Sequence, residues 1–383
     1  MLFLSGRHWR LVALALWLAS SVTAARAADF PMTVTDIAGR PVTIDHPPER
    51  IFLDDPRHLF ALAALLDQPV ARLSGWRNTL EGFDRQAQAR FETAFPALAD
   101  LPTPGGQGNG RISAEALITL SPDLVLIDLS RYPDVAQSSL PARLSALDIP
   151  MLVIDFKQHP LANTRPSLRL LGHVLDAELR ARALVQTIEQ HEQAVIQCVD
   201  DDTHHPRVLI DIAPGLKTEC CRSNFDTGIA DLVERAGGDN IAAGLSPGRE
   251  NLINPEYILT DEPYVIIATA AQWPGGESIR AGFGVMPQQS LSDMASIVAR
   301  RPGWADLAAV RDGHFHALWH GHHQGPFGVV ALEAIARWLH PQQCAALDPE
   351  QTQAMLYQTF MPIAGDGTFQ ATRPANDVFT PTP

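Results

Sequence analysis

The sequence predicts an α/β fold: two similar lobes with mainly parallel sheets, a cleft between them, and one long α-helix joining them. Three observations carry this. First, two stretches 141 residues apart share one cadence. One is Ile112-Ser-Ala-Glu115-Ala-Leu-Ile-Thr119-Leu-Ser-Pro122-Asp-Leu-Val125-Leu-Ile127, and the other is Ile253-Asn-Pro-Glu256-Tyr-Ile-Leu-Thr260-Asp-Glu-Pro263-Tyr-Val-Ile266-Ile267. Each reads as a capped helix start, a glutamate in the first turn, a short helix, a proline stop and a buried strand. A unit used twice at domain-scale spacing implies two comparable lobes, and two lobes enclose a cleft. Second, short apolar strands alternate with helical segments, the order that builds a parallel sheet. Third, Ala177 to Cys198, capped by Asp176, reads as one helix. At 1.5 Å per residue it is roughly 33 Å long, enough to cross from lobe to lobe.

The elements follow in order. Residues 1–27 carry Arg7 and Arg10, an apolar run Leu11 to Ala19 and the small-x-small end Ala25-Arg26-Ala27. Such a segment is a secretory signal peptide, too short in its apolar part to span a bilayer, and it predicts a periplasmic protein. The alternation from Met32 to Ile44 around Ala38-Gly39 predicts a hairpin. Ile51 to Leu53 is a strand, Asp54 to His58 a polar loop, Leu59 to Leu66 a helix, and Val70 to Phe95 a second βα pass. Pro102 to Gly110 is a loop lacking the Gly-Lys-Ser/Thr ending of a phosphate site. The Glu115 unit, a helix near Ser138 to Leu147 and a strand Met151 to Ile154 close the first lobe, 28–160. The helical segment 161–203 holds Pro166 to Leu175 and the long helix, whose packed side is marked by Leu179, Ala183, Leu184, Ile188, Val195 and Ile196. The second lobe, 204–364, reads as strand Val208 to Ile212, helix Gly228 to Ala236, the Glu256 unit, strand His314 to Leu318 and helix Val329 to Leu339. Residues 365–383 are Pro/Thr-rich and predict a loosely ordered tail.

Composition narrows the function. Of 383 residues, 46% are apolar and 19% charged, ordinary for a soluble globular protein with two cores. Removing the first 27 residues takes away three Arg and no acid, moving the net charge from −14 to −17. That balance excludes a nucleic-acid partner, while a small-ligand site can still be locally basic. No later apolar run approaches membrane length. The four cysteines, Cys198, Cys220, Cys221 and Cys344, permit three pairings that spacing does not separate, and they match no zinc ribbon. Adjacent Cys220 and Cys221 can form a vicinal disulfide on which a ligand stacks, stay free, or pair with Cys198 or Cys344.

In doubly wound sheets ligands sit beyond the carboxyl ends of the strands. That rule selects Arg57, Trp76, Arg77, Arg131 and Tyr132 in the first lobe, and Lys217, Cys220, Cys221, Arg222, Trp273 and Trp319 in the second. Arginines can pair with the oxygens of an anionic chelate while aromatics cover its apolar faces. His314, His316, His320, His322 and His323 fall within ten residues. His314 and His316 share one face of a strand, as packing would require, whereas His320, His322 and His323 lie in a loop that suits metal ligation. Glu115 and Glu256 are first-turn carboxylates, favoured there by about 0.3–1 kcal/mol. That accounts for an acid at each place but not for the match between lobes.

Taken in series, these pieces resemble the periplasmic substrate-binding proteins of ABC importers that carry ferric siderophores, cobalamin and haem. The resemblance runs from about Thr33 to Pro362. It rests on Thr35-Asp-Ile-Ala-Gly-Arg40, Pro48-Glu-Arg-Ile51, the Glu115 unit, Ala236-Gly-Gly-Asp-Asn-Ile241, the Glu256 unit, and Arg301-Pro-Gly-Trp304 with Ala309-Val-Arg-Asp-Gly313. It implies two Rossmann-like lobes on a single long helix with small lobe closure. It also implies that Glu115 and Glu256 match the acids that dock onto arginines of a permease dimer, that the binding protein is a monomer, and that no catalysis or resident cofactor is involved. The histidine loop departs from the family, where aromatic and small polar residues are usual. The leading reading is capture of a metal chelate, a ferric siderophore. Alternatives are haem with Tyr132 or a loop histidine on iron, cobalamin, a nickel or zinc chelate, or a periplasmic metalloenzyme built on the histidines.

Overall fold

A computed structural model describes residues 29–104, 114–199, 204–216, 220–245 and 252–375. The predicted signal segment, Lys217 and the glycines of the 105–110 loop lie outside them. The chain opens with an antiparallel hairpin, β1 (Met32–Thr35) and β2 (Pro41–Ile44), in the register Met32 to Ile44. Then come β3 (Ile51–Leu53), α1 (His58–Leu65), β4 (Leu73–Trp76), α2 (Arg85–Ala94), α3 (Ala114–Thr119), β5 (Leu124–Asp128), α4 (Tyr132–Ala136), α5 (Leu140–Ser145) and β6 (Met151–Ile154). Two helices follow, α6 (Pro160–Val174) and α7 (Glu178–Val199). The second half runs β7 (Arg207–Asp211), α8 (Ile229–Arg235), β8 (Asp239–Asn240), α9 (Pro255–Asp261), β9 (Val265–Ala270), β10 (Gly282–Phe283), α10 (Pro287–Arg300), α11 (Ala308–Arg311) and β11 (Phe315–Trp319). It ends with α12 (Gly328–Leu339), α13 (Pro349–Phe360), β12 (Gly367–Thr368) and β13 (Gln370–Thr372).

The strands form two principal sheets. The first, in the order β4-β3-β5-β6, is parallel throughout. The second, β13-β11-β9-β7-β8, is parallel except for its edge strand β13. The fold class read from the sequence, α/β with mainly parallel sheets, is the one observed. Strands such as β5 and β9 are buried along their whole length, as sheets covered on both faces require.

The joining helix α7 has 22 residues and buries Ala181, Leu184, Val185, Ile188, Val195 and Val199. Two residues expected on that side, Leu179 and Ala183, are exposed instead, Leu179 by 69%. The packed stripe follows the 3.6-residue period from Ala181, which puts both on the opposite, solvent side of the helix. A disulfide from Cys198 to Cys344 anchors the helix end to the second half, and a second joins Cys220 to Cys221.

Two further expectations need correction. The helix read from Pro166 begins at Pro160, with Pro166 inside it. Its start is set by Asp155, whose carboxylate accepts the amides of Lys157, Gln158 and His159 and the Asn163 side chain at 2.8–2.9 Å. Helices α10 and α13 went unread in the sequence. The predicted loose tail is strand as far as Thr372. Gly367 lets it lie against β10, since a Cβ there would sit 2.2 Å from the Gly282 carbonyl. Phe369 is buried, and Arg373 donates its amide to Phe315. Residues 376–383 lie outside the described residues.

One apolar core runs through both halves. At its centre Phe60 of the first half stacks on Phe283 and meets Trp319 edge-on, and Phe283, Trp319 and Phe369 pack mutually at ring separations of 5.1–5.3 Å. The Trp319 indole N–H donates to Asp84 at 2.9 Å, and Arg90 pairs with Asp366 through both carboxylate oxygens. The two halves are therefore stapled on one side by a dry aromatic seam. Phe283→Ala is expected to lower stability by about 3–5 kcal/mol, because the seam cannot collapse around the lost ring. Urea denaturation measures it, and a loss under about 1 kcal/mol would mean the seam is not load-sharing.

Candidate functional site

The first sheet ends in acids. Leu53 is followed by Asp54 and Asp55, β5 ends on Asp128, and Ile154 is followed by Asp155. These carboxylates are buried, so each is engaged, Asp155 by the amides that open α6 and the others by side chains near the strand ends. Arg57 grips Asp55 in a two-pronged pair at 2.8 and 2.5 Å. Arg77 lies against Asp54, with Nε donating to its backbone carbonyl at 2.7 Å and standing 3.3 Å from the carboxylate. Arg131 Nε donates to the other Asp54 oxygen at 3.2 Å. His58 stands 3.5 Å from Asp128, whose carboxylate also accepts the Ser130 hydroxyl. Lys157 Nζ reaches the Ser130 hydroxyl at 3.3 Å.

Burial and partners then compete over each proton. Burial would raise the Asp55 carboxyl, but Arg57 outweighs it and holds the group well below the usual carboxylate range. Asp128 is likewise held low by His58 against its burial. For Asp54 burial wins over Arg131 and Arg77, and its affinity for a proton is raised. Lys157 is pushed down by burial and by the Arg57 charge.

The second sheet supplies the facing wall from three strand ends. Beyond β7 stand Cys220, half-buried, and Cys221, fully buried, followed by Arg222, which bridges to Leu252. Beyond β9 the half-buried Trp273 meets the His320 ring edge-on at 5.2 Å. Beyond β11 lie His320 and His323, themselves edge-to-face at 4.5 Å. The charges of Arg57 and Lys157 act on both rings across the gap. Burial above all keeps the pair neutral, His320 well below its ordinary value and His323 at about 3. The Nδ1 atoms of His320 and His323 have no hydrogen-bond partner among the described residues, nor does Arg77 Nη1 or Asn78 Oδ1. These four buried polar atoms stand unsatisfied at the strand ends of the two sheets.

The structure separates the predicted residues into groups. Arg57, Arg77 and Arg131 converge on the aspartates, and Trp273, His320 and His323 form the opposite wall. Trp76 is fully buried at the end of β4, and Trp319 sits in the seam. Gly321 folds over Trp319 so closely that a Cβ there would lie 2.3 Å from the indole. Tyr132 lies under the Arg40 guanidinium, 4.7 Å away. The histidine trio expected as a metal site is not one cluster. His322 turns away to Gln353 Oε1 at 2.5 Å and packs on Trp319 and Phe369. Among the described residues no three His, Cys, Asp or Glu are placed to hold a metal ion. His316, stacked on Trp338 at 4.4 Å, is packing.

The aspartates were the residues missed. Their signal is in the sequence: the apolar runs of β3, β5, β6 and β7 each give way to Asp, at 54, 128, 155 and 211. Asp211 serves structure, paired with Arg301. The glutamates sit where the cadence put them. Glu115 is exposed in the first turn of α3 and pairs with Arg143. Glu256 is exposed in the first turn of α9, its amide accepted by the Asn254 side chain at 2.9 Å.

Comparison with known proteins adds four likenesses. The family described as periplasmic binding protein matches residues 80–318. A curated relative, a cobalamin-binding protein of Halobacterium salinarum, is 26% identical over 258 residues, covering 65% of this chain. The match spans 61% of that relative's length. Among solved structures, the TroA-like periplasmic binding protein FepB from Veillonella parvula superposes with a TM-score of 0.81 at 25% identity, covering 90% of this chain and all of the other. The molybdate periplasmic binding protein MolA of Haemophilus influenzae, at 18% identity and a TM-score of 0.65, covers 88% of this chain and 99% of its own, and shows the shared fold.

The neutral histidines give the protein a pH signature. Unfolded imidazoles take up protons below about pH 6.5. In the fold His322 does so only near 4 and His323 near 3, burial being the main cause. The unfolded state thus binds more protons in that window, and stability present above pH 6.5 is lost as pH falls. His322 alone should remove on the order of 3 kcal/mol by pH 4. Thermal midpoints of the protein and of His322→Gln, followed from pH 7 to 4.5, should diverge, the variant falling less steeply. Parallel profiles would contradict the assignment.

Proposed function

We propose, from the premise that this chain belongs to the periplasmic binding protein family, that its cargo is a ferric siderophore held between the two walls. Members of this family bind solutes and work with the permeases of ABC transporters. The observation that carries the reading is the meeting of unlike walls. The Arg57 guanidinium and the Lys157 ammonium act across the cleft on two neutral imidazoles, His320 and His323, and the Trp273 indole lies against His320. Oxygen donors of an iron chelate suit the cations, and its organic rim suits the rings. The vicinal disulfide beyond β7 adds the half-buried edge of Cys220 to the strand ends of this half.

The exposed first-turn acids Glu115 and Glu256, one in each half, serve as docking points for cations on a permease dimer, each half of a monomeric binding protein meeting one subunit. The predicted signal peptide sends the chain to the compartment where such docking occurs. Cobalamin is the second reading, supported by the curated relative.

Quenching of tryptophan emission by a panel of ferric siderophores, haem and cobalamin tests the cargo. A ferric siderophore should bind with Kd of about 1 μM or below. Tighter binding of haem or cobalamin than of every ferric siderophore overturns the choice. The double variant Glu115→Ala with Glu256→Ala should abolish uptake in cells while leaving affinity within about twofold, since on this reading both exposed first-turn acids serve the permease contact. Loss of affinity in that variant would assign the acids to the ligand site.

A further inference from the structure

We infer that the cleft selects a chelate of little or no net charge, a ferric tris-hydroxamate over a ferric tris-catecholate. This rests on the siderophore reading and narrows it. Four cations stand at the first sheet's strand ends, Arg57, Arg77, Arg131 and Lys157, and four carboxylates stand among them, Asp54, Asp55, Asp128 and Asp155. The match is made through contacts. Arg57 holds Asp55 at 2.5 and 2.8 Å, and Arg77 and Arg131 flank Asp54 at 3.3 and 3.2 Å. Lys157 lies within the fields of Asp55, Asp128 and Asp155. His320 and His323 on the opposite wall add no charge, being neutral, and Arg222 there is itself engaged.

Iron(III) bound by three catecholates carries three negative charges, whereas bound by three hydroxamates it carries none. A trianion entering this gap would leave water without gaining an equivalent positive field, because the guanidiniums already share buried carboxylates, Arg57 with Asp55 and both Arg77 and Arg131 with Asp54. A neutral chelate forfeits little hydration. What the paired arginines still offer is direction: Arg57 and Arg131 keep part of their side chains exposed, 12% and 25%, and present N–H groups to neutral oxygen acceptors. Trp273 covers the hydrocarbon links of the ligand.

The test titrates the full-length protein, by tryptophan emission, with a ferric tris-hydroxamate and a ferric tris-catecholate at about 50 and about 500 mM NaCl. The hydroxamate should bind at least about 100-fold more tightly, with a Kd that moves less than about twofold between the two salts. Equal or tighter binding of the catecholate, or a steep salt dependence for the hydroxamate, overturns the inference while leaving a siderophore cargo in place. Failure of both to bind removes the siderophore reading as well. Asp55→Asn, which releases Arg57 from its partner, should raise catecholate affinity about tenfold and leave the hydroxamate nearly unchanged. Unchanged catecholate affinity in the folded variant counts against the charge argument. If that variant does not fold, the comparison on the unaltered protein decides.

Discussion

Everything in this molecule is arranged around the dry seam where Phe60 meets Phe283, Trp319 and Phe369. Two sheets that would otherwise be independent share one apolar core there, and α7 braces it along Leu184, Val185 and Ile188. Close-packed interiors have few alternative arrangements, so a seam of interlocked rings behaves as a joint with one setting. Asp84 shows how tightly it is specified. Its carboxyl starts α2 by accepting the Ala87 amide and receives the Trp319 indole N–H from the other half. Burial raises its proton affinity to about 6 even so. A polar group so placed is tolerable only because both oxygens are engaged.

The seam borders the site, since Phe60 lies three residues past Arg57 and Trp319 directly precedes His320. With the halves held at this edge, the gap beside it must be furnished by loops. The first half furnishes it with paired charges and the second with rings and a disulfide. Buried ion pairs of this kind contribute little net stability compared with apolar residues of similar volume. Their value is positional: the carboxylates hold guanidinium planes at set angles, so that recognition depends on direction.

Much of this was legible in the sequence, for reasons that differ by level. The duplicated cadence at Glu115 and Glu256 identified the repeat because caps, prolines and buried strands are local signals. The same locality gave the strand ends and hence Arg57, Arg131 and Trp273. What failed were inferences needing tertiary partners. Trp319 and His322 look like cleft residues from position alone, but one residue of loop curvature at Gly321 turns both into the core. The tail past Gly365 reads as loose because Pro and Thr dominate its end, yet Phe369 has a socket that no local pattern reveals. The aspartates ending the strands were in plain view, and their importance came only from being buried beside cations drawn from other strands.

The late arrival of Phe369 has a consequence for biogenesis. A nascent chain lacks this ring, and the edge strand that carries it, until synthesis has passed nearly the whole second half. Until then the aromatic joint lacks its keystone and β11 has an unpaired edge. The seam and the second sheet are therefore completed by one and the same late segment. Completion of the last strand then acts as the latch that commits the chain to its final form.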